Sequence, residues 1–204
     1  MPSKRLMLAA TIVAALTALP TAAAAQQIGV KAGVNVATLT NAEFPDHSQR
    51  IGLVGGLFVT VPATERFSFQ IEGLYSEKGI KIEVEESGFE LDGNLRLRYL
   101  EVPVLGRADF GTAGSSPRFY AVAGAAPAFN VGAQFKAEAL GEEETEDISD
   151  DIESFDLGLV GGLGVEYGNL NVEARYTHGL MSVAKDDDSV KSRVFSVTAG
   201  YRFR

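Results

Sequence analysis

From Leu157 to Tyr167 the chain changes character at every step. Leu157, Leu159, Leu163, Val165 and Tyr167 fall on one face with Gly161 among them, and Gly158, Val160, Gly162, Gly164 and Glu166 fall on the other. Successive side chains of a β-strand point to opposite faces, so a period of two is the signature of a strand with two different environments. The pattern repeats after the pair Gly168-Asn169, a two-residue hairpin step. Leu170, Val172, Ala174 and Tyr176 then alternate with Asn171, Glu173, Arg175 and Thr177. Near the end, Phe195, Val197, Ala199, Tyr201 and Phe203 oppose Ser196, Thr198, Gly200, Arg202 and Arg204. Ile28, Val30, Ala32, Val34 and Val36 oppose Gly29, Lys31, Gly33, Asn35 and Ala37 near the start.

The middle of the chain is less regular. Ile51 to Val61 alternates, with Val54 and Phe58 on its second face, and Phe67, Phe69, Ile71 and Tyr75 oppose Ser68, Gln70, Glu72 and Ser76. Beyond Lys78 the apolar parity shifts to Ile80, Ile82 and Val84. Leu95 and Leu97 likewise give way to Leu100, Val102 and Val104. A one-residue register change near Tyr99, made by a bulge, would account for this. Phe119 to Val131 is too rich in Ala and Gly for its faces to be assigned.

The segments between strands alternate in length. Pro62 to Arg66, Gly111 to Pro117 and Gly168-Asn169 are short, whereas Thr40 to Arg50, Glu85 to Gly93, Gln134 to Ser154 and Met181 to Ser192 are long. Short periplasmic turns, long outer loops and an even strand count describe an outer-membrane barrel. The expectation is an all-β fold: an eight-stranded antiparallel up-and-down transmembrane β-barrel occupying residues 26–204 as one domain.

The first 25 residues read as a cleaved signal peptide. Lys4 and Arg5 precede an apolar run from Leu6 to Leu19, Pro20 breaks it, and Ala23-Ala24-Ala25 supplies small residues for a cut before Gln26. The run is shorter than the ~20 residues a spanning helix needs. With no Cys, the chain has no disulfide, thiolate metal site, cysteine nucleophile or lipid-modified cysteine. A net charge of −9 argues against nucleic acid as a partner.

Alternation alone does not say which face meets lipid. The apolar face is uncharged over long stretches, such as Leu157 to Tyr167 and Phe195 to Phe203, and aromatics gather near both strand ends. Phe67, Phe69, Phe110, Phe119, Tyr120, Tyr167, Tyr201 and Phe203 fall at the short-turn end; Tyr75, Phe129, Phe135, Phe155, Tyr176 and Phe195 fall toward the long loops. Aromatic girdles of this kind mark the two membrane interfaces. The opposite face carries both signs of charge: Lys31, Glu72, Arg96, Arg98, Glu101, Glu166, Glu173, Arg175 and Arg202. Such a face suits a narrow lumen of paired side chains. The competing arrangement is a soluble extracytoplasmic ligand-binding barrel whose charged face is solvated.

Several short stretches resemble the PorT-type outer-membrane β-barrel family. They are Lys31-Ala32-Gly33-Val34-Asn35, Tyr99-Leu100-Glu101-Val102-Pro103-Val104-Leu105, Phe155-Asp156-Leu157-Gly158, Gly161-Gly162-Leu163-Gly164, Glu173-Ala174-Arg175-Tyr176 and the closing Gly200-Tyr201-Arg202-Phe203. The resemblance implies an eight-stranded outer-membrane barrel, with some relatives tied to protein secretion, and brings no catalytic residues. Barrel assembly reads a terminal aromatic, and here Arg204 follows Phe203.

Three kinds of site compete with a purely structural role. The lumen charges need no function beyond pairing, since an uncompensated buried charge costs several kcal/mol. An enzyme would need a general base, and the two histidines are His47, in Asp46-His47-Ser48, and His178. Adjacency in sequence does not build a triad, and no catalytic motif or cofactor signature accompanies either residue. The acidic stretch Glu142, Glu143, Glu144, Asp147, Asp150 and Asp151 offers carboxylates to a divalent cation. Its spacing matches no calcium loop, and blocks of like charge are commonly solvated. The expected role is a structural or interaction barrel with acidic outer loops, not an open pore and not an enzyme, with no cofactor. A transport or secretion accessory is the alternative. Expected partners are outer-membrane lipid and lipopolysaccharide, the barrel-assembly machinery during insertion and an unidentified protein.

Overall fold

In the computed structural model the described residues are 26–40, 47–86, 89–111, 116–139, 142–148, 152–183 and 190–203. The proposed leader, Asp46 and Asp150-Asp151 fall outside them. The strands are β1 (Gln27–Thr40), β2 (His47–Pro62), β3 (Phe67–Glu86), β4 (Phe89–Glu101), β5 (Val104–Phe110), β6 (Arg118–Ala139), β7 (Glu142–Asp147), β8 (Phe155–Tyr167), β9 (Leu170–Gly179) and β10 (Lys191–Arg202). All pairings are antiparallel. β1 pairs with both β2 and β10, and the ladder runs on through β3, β4 with β5, β6, β8 and β9, so the sheet closes as an up-and-down barrel of eight staves. Closure leaves no free edge, which a sheet in lipid requires because no water is there to bond it.

Ten strands make eight staves for two reasons. β4 and β5 are one stave interrupted at Val102-Pro103, where Pro103 has no N–H to give the ladder. The sheet holds across the gap because Glu72 N donates to Pro103 O at 3.0 Å and Val102 N donates to Pro127 O at 2.8 Å. β7 is the other addition. It folds back on β6, with Phe135 opposite Glu146 and Ala139 opposite Glu142. Part of the expected Gln134–Ser154 loop is therefore strand.

The apolar face looks outward. Leu159, Val172 and Val197 are 52%, 50% and 41% exposed, whereas Glu173 and Arg175 are 1% and 6% exposed. A soluble barrel would show the reverse. Phe67, Phe69, Phe110, Phe119, Tyr167, Tyr201 and Phe203 ring the short-turn end on the outside, and Tyr75, Tyr176 and Phe195 ring the other. The eight steps from Phe67 to Tyr75 rise about 27 Å along a strand. At a tilt of ~40° this is about 20 Å along the axis, close to the apolar band of a membrane barrel. Tyr120 does not belong to the girdle: it is buried inside, next along β6 from the outward Phe119.

Above Tyr75 the strands continue and their chemistry inverts. Ser76, Lys78 and Ile80 are all buried, so β3 keeps its phase although the parity of its apolar residues shifts. What changes is the surroundings. β3 has 20 residues and β6 has 22, about twice the span needed to cross a bilayer. Beyond the membrane the outside is water, so apolar side chains turn inward and polar ones outward. A bulge does occur near Tyr99, but its extra residue is Val131 on β6: Arg98 pairs with Gly132 and Tyr99 with Asn130. Asn130 and Ala133 are consequently both buried, while β4 runs through unshifted.

Close packing inside the lower lumen depends on a glycine. A Cβ at Gly164 would lie 2.2 Å from the Tyr120 ring, whose side chain takes that space. Gly164→Leu is expected to cost about 3 kcal/mol by overpacking. A lowered midpoint of urea unfolding, read by heat-modifiable gel migration, is the check; an unchanged midpoint contradicts it.

Candidate functional site

Inward-facing positions on eight staves place charges from distant parts of the sequence side by side. At mid-lumen Lys31 from β1, Glu72 from β3, and Glu173 and Arg175 from β9 meet. Lys31 Nζ lies 2.9 Å from Glu72 and 3.0 Å from Glu173. Arg175 grips Glu72 with both terminal nitrogens at 2.6 Å, and its Nε pairs with Glu173. Gln70 donates to the same Glu72 carboxylate at 2.5 Å. The set is two cations against two anions, all nearly fully buried. The fork-to-carboxylate geometry is the strongest form such a pair takes.

A second layer closes the short-turn end. Glu166 accepts from Arg107 at 2.9 Å, Arg118 at 2.5 Å and Arg202 at 2.9 Å. Arg107 also reaches Asp109 at 2.8 Å and lies over the Tyr120 ring at 3.8 Å. A third layer sits toward the loops, where Lys78 pairs with Glu101 at 2.7 Å and lies over the Tyr99 ring at 4.9 Å. Nearby, Asp156 accepts from Ser192 at 3.2 Å.

Seven of the nine expected lumen charges thus fall in these layers: Lys31, Glu72, Glu101, Glu166, Glu173, Arg175 and Arg202. Arg96 and Arg98 do not. They alternate with the buried Leu97 and Tyr99 and therefore face outward; Arg96 is exposed and Arg98 donates to Gln134 at 2.6 Å. Their assignment to the lumen assumed a phase change on β4 that the bulge places on β6. Lys78, Arg107, Asp109, Arg118 and Asp156 were missed. Arg107 and Asp109 were readable, because they alternate with Val104, Gly106 and Ala108 on β5.

Above the ionic layers the mouth is capped by apolar side chains. Ile80, Leu97, Tyr99, Ala128 and Ala133 of the strands pack with Ile152 and Val183 from two outer loops, and Leu95, Phe135, Ile148 and Val190 flank them. Phe135 is thus part of the cap, not the girdle. The two loops bond each other where Glu153 N donates to Val183 O at 3.0 Å, and the second loop is closed on itself by Val183 N donating to Val190 O at 2.9 Å. Between cap and mid-lumen layer a cavity of about 20 Å³ remains, bounded by Ser76, Lys78, Glu101, Arg175, Ser196 and Thr198 among others. That is room for about one water molecule.

His178 lies on the outer side of β9, with its ring stacked on Tyr176 at 6.5 Å between centroids. His47 opens β2. Glu142, Glu143, Glu144 and Asp147 belong to β7. Among the described residues no group of carboxylates and histidines is arranged to hold a metal ion.

Residues 22–185 match the family model described as outer membrane protein beta-barrel domain. The chain belongs to that family. It is a small outer-membrane β-barrel, placed in the outer membrane of a Gram-negative cell envelope. A comparison with curated protein sequences returns no match. Distant matches are found among solved structures. Ail, the attachment invasion locus protein of Yersinia pestis, is 17% identical over 88% of this chain and 99% of that chain, with a TM-score of 0.48. OprG from Pseudomonas aeruginosa is 14% identical over 88% and 97%, with a TM-score of 0.45. The outer membrane enzyme PagL is 14% identical over 85% and 98%, with a TM-score of 0.48. At such identities and TM-scores these likenesses carry no argument about what the chain does.

Proposed function

We propose that this barrel is a closed structural or interaction protein, a membrane anchor that presents acidic outer loops to a partner outside the cell. One observation carries the reading: among the described residues, stacked ion pairs and an apolar cap occupy the lumen, and the cavity between them holds about 20 Å³. Eight staves give an interior that side chains just fill. The charges of the lumen layers are absorbed in pairing with one another, which supports a structural role for them. The sequence stretches quoted above favour a PorT-type kinship within the family. Outer-membrane lipid, lipopolysaccharide and the assembly machinery are the partners such a barrel meets.

Planar-bilayer recording tests this. The expected result is no steady conductance. Steady conductance at the scale of a water-filled channel would overturn the closed reading in favour of a transport or secretion accessory. The acidic stretch from Glu142 to Asp151 has its own test. If it gathers divalent cations, millimolar Ca²⁺ slows protease cleavage of the outer loops; unchanged cleavage removes cation binding from the proposal.

A further inference from the structure

The outer wall above the apolar band carries two cations that the lumen does not use. Arg96 and Arg98 sit two residues apart on β4, outward, on the loop side of the lipid-facing Leu100. Leu100 pairs across the sheet with Tyr75, a girdle residue. Two residues rise about 7 Å along a strand, so the guanidinium groups stand one and two such steps above the girdle, at the level of lipid headgroups.

Their surroundings leave them available to an anion. Arg98 Nη2 donates to Gln134 Oε1 at 2.6 Å, and the side chain runs beside Gly132, 3.9 Å from where a Cβ would be. Lys136 follows Gln134 by two residues and pairs in register with Asn94. The neighbouring carboxylate is Glu77, across from Arg98. It accepts from the Tyr75 hydroxyl at 3.1 Å and stands 4.0 Å from Arg50. Among the described residues no carboxylate lies within ion-pair distance of Arg96 or Arg98. In a chain of 27 acidic and 18 basic residues, two outward arginines side by side on one strand run against the overall charge. A planar guanidinium fork matches the oxygens of a phosphate, and anionic headgroups attract cations held at the membrane surface.

We propose that Arg96 and Arg98, with Arg98 steadied by Gln134, bind the phosphate of an outer-leaflet glycolipid headgroup. This goes beyond the closed-barrel reading and needs only the outer-membrane placement, so its failure leaves the loop proposal intact.

The test uses the full barrel in uncharged detergent. Native mass spectrometry titrates bisphosphorylated lipid A, its dephosphorylated form, and inorganic phosphate as competitor. The wild-type barrel is expected to bind the bisphosphorylated lipid at least about tenfold more tightly than the dephosphorylated one, the scale of one lost charge-assisted bond. The double variant Arg96→Gln/Arg98→Gln loses that preference, and Arg193→Gln, on the far side of the barrel, keeps it. Both altered side chains point outward, so heat-modifiable migration of the double variant remains that of a folded barrel. A phosphate preference retained by the double variant, or absent from the wild type, overturns the site. Displacement of the lipid by micromolar inorganic phosphate overturns the lipid as its ligand.

Discussion

Arg175→Leu is expected to lower the unfolding free energy of the barrel by about 3–5 kcal/mol, the cost of breaking a buried ion pair from one side. The change leaves Glu72 and Glu173 with Lys31 alone, at positions that are 0% and 1% exposed. The second variant makes this a statement about charge and not about volume. Arg175→Leu/Glu173→Leu leaves Lys31 and Glu72 as a matched pair, and should recover at least half of the loss although it removes more contacts. Urea unfolding followed by heat-modifiable migration measures both. An unchanged midpoint for Arg175→Leu would mean that the ion pairs do not hold the lumen. A double variant weaker than the single would mean that packing, not charge balance, sets the cost.

Val183→Asp should act on the opposite end of the molecule. Val183 is 3% exposed within the cap; its backbone joins the neighbouring loop through Glu153 and closes its own loop through Val190. A carboxylate there would sit among the apolar side chains of the cap, so the cap opens rather than bury a charge in them. Local opening governs protease access. A loss of more than about 1.4 kcal/mol in the cap raises cleavage of the outer loops at least tenfold. The membrane-embedded staves stay folded, because the cap lies above them. Loop cleavage at the wild-type rate would show that the cluster does not fasten the loops.

The sequence was most legible where one side of a strand faces lipid. β1, β8, β9 and β10 have short turns or clean ends and lie largely within the membrane, so a single rule, apolar outward, holds from end to end. There the alternation gave the strands, their facing and Lys31, Glu166, Glu173, Arg175 and Arg202 together. It failed on β3 and β4, where one strand passes from lipid into water. Apolar Ile80 and Leu97 looked like a change of phase, and Arg96 and Arg98 like lumen residues, because a lone sequence records polarity and not the solvent outside. The same ambiguity hid Lys78. On β6, Ala and Gly at Ala121, Ala123, Gly124, Ala125 and Ala126 carry no contrast between faces, which is why Tyr120 was sent to the wrong side and Val131 could not be recognised as the extra residue.

The crossover at Tyr75 gives the molecule two independently stabilised storeys. Below it the ion pairs and the bilayer hold the wall. Above it β3, β4 and β6 enclose an oily filling of their own, as a protein dissolved in water does. The strand ends below the loop tips therefore pack on a core of their own and not directly on the membrane. Insertions or deletions at those tips can change what the cell displays while the inserted portion keeps its register.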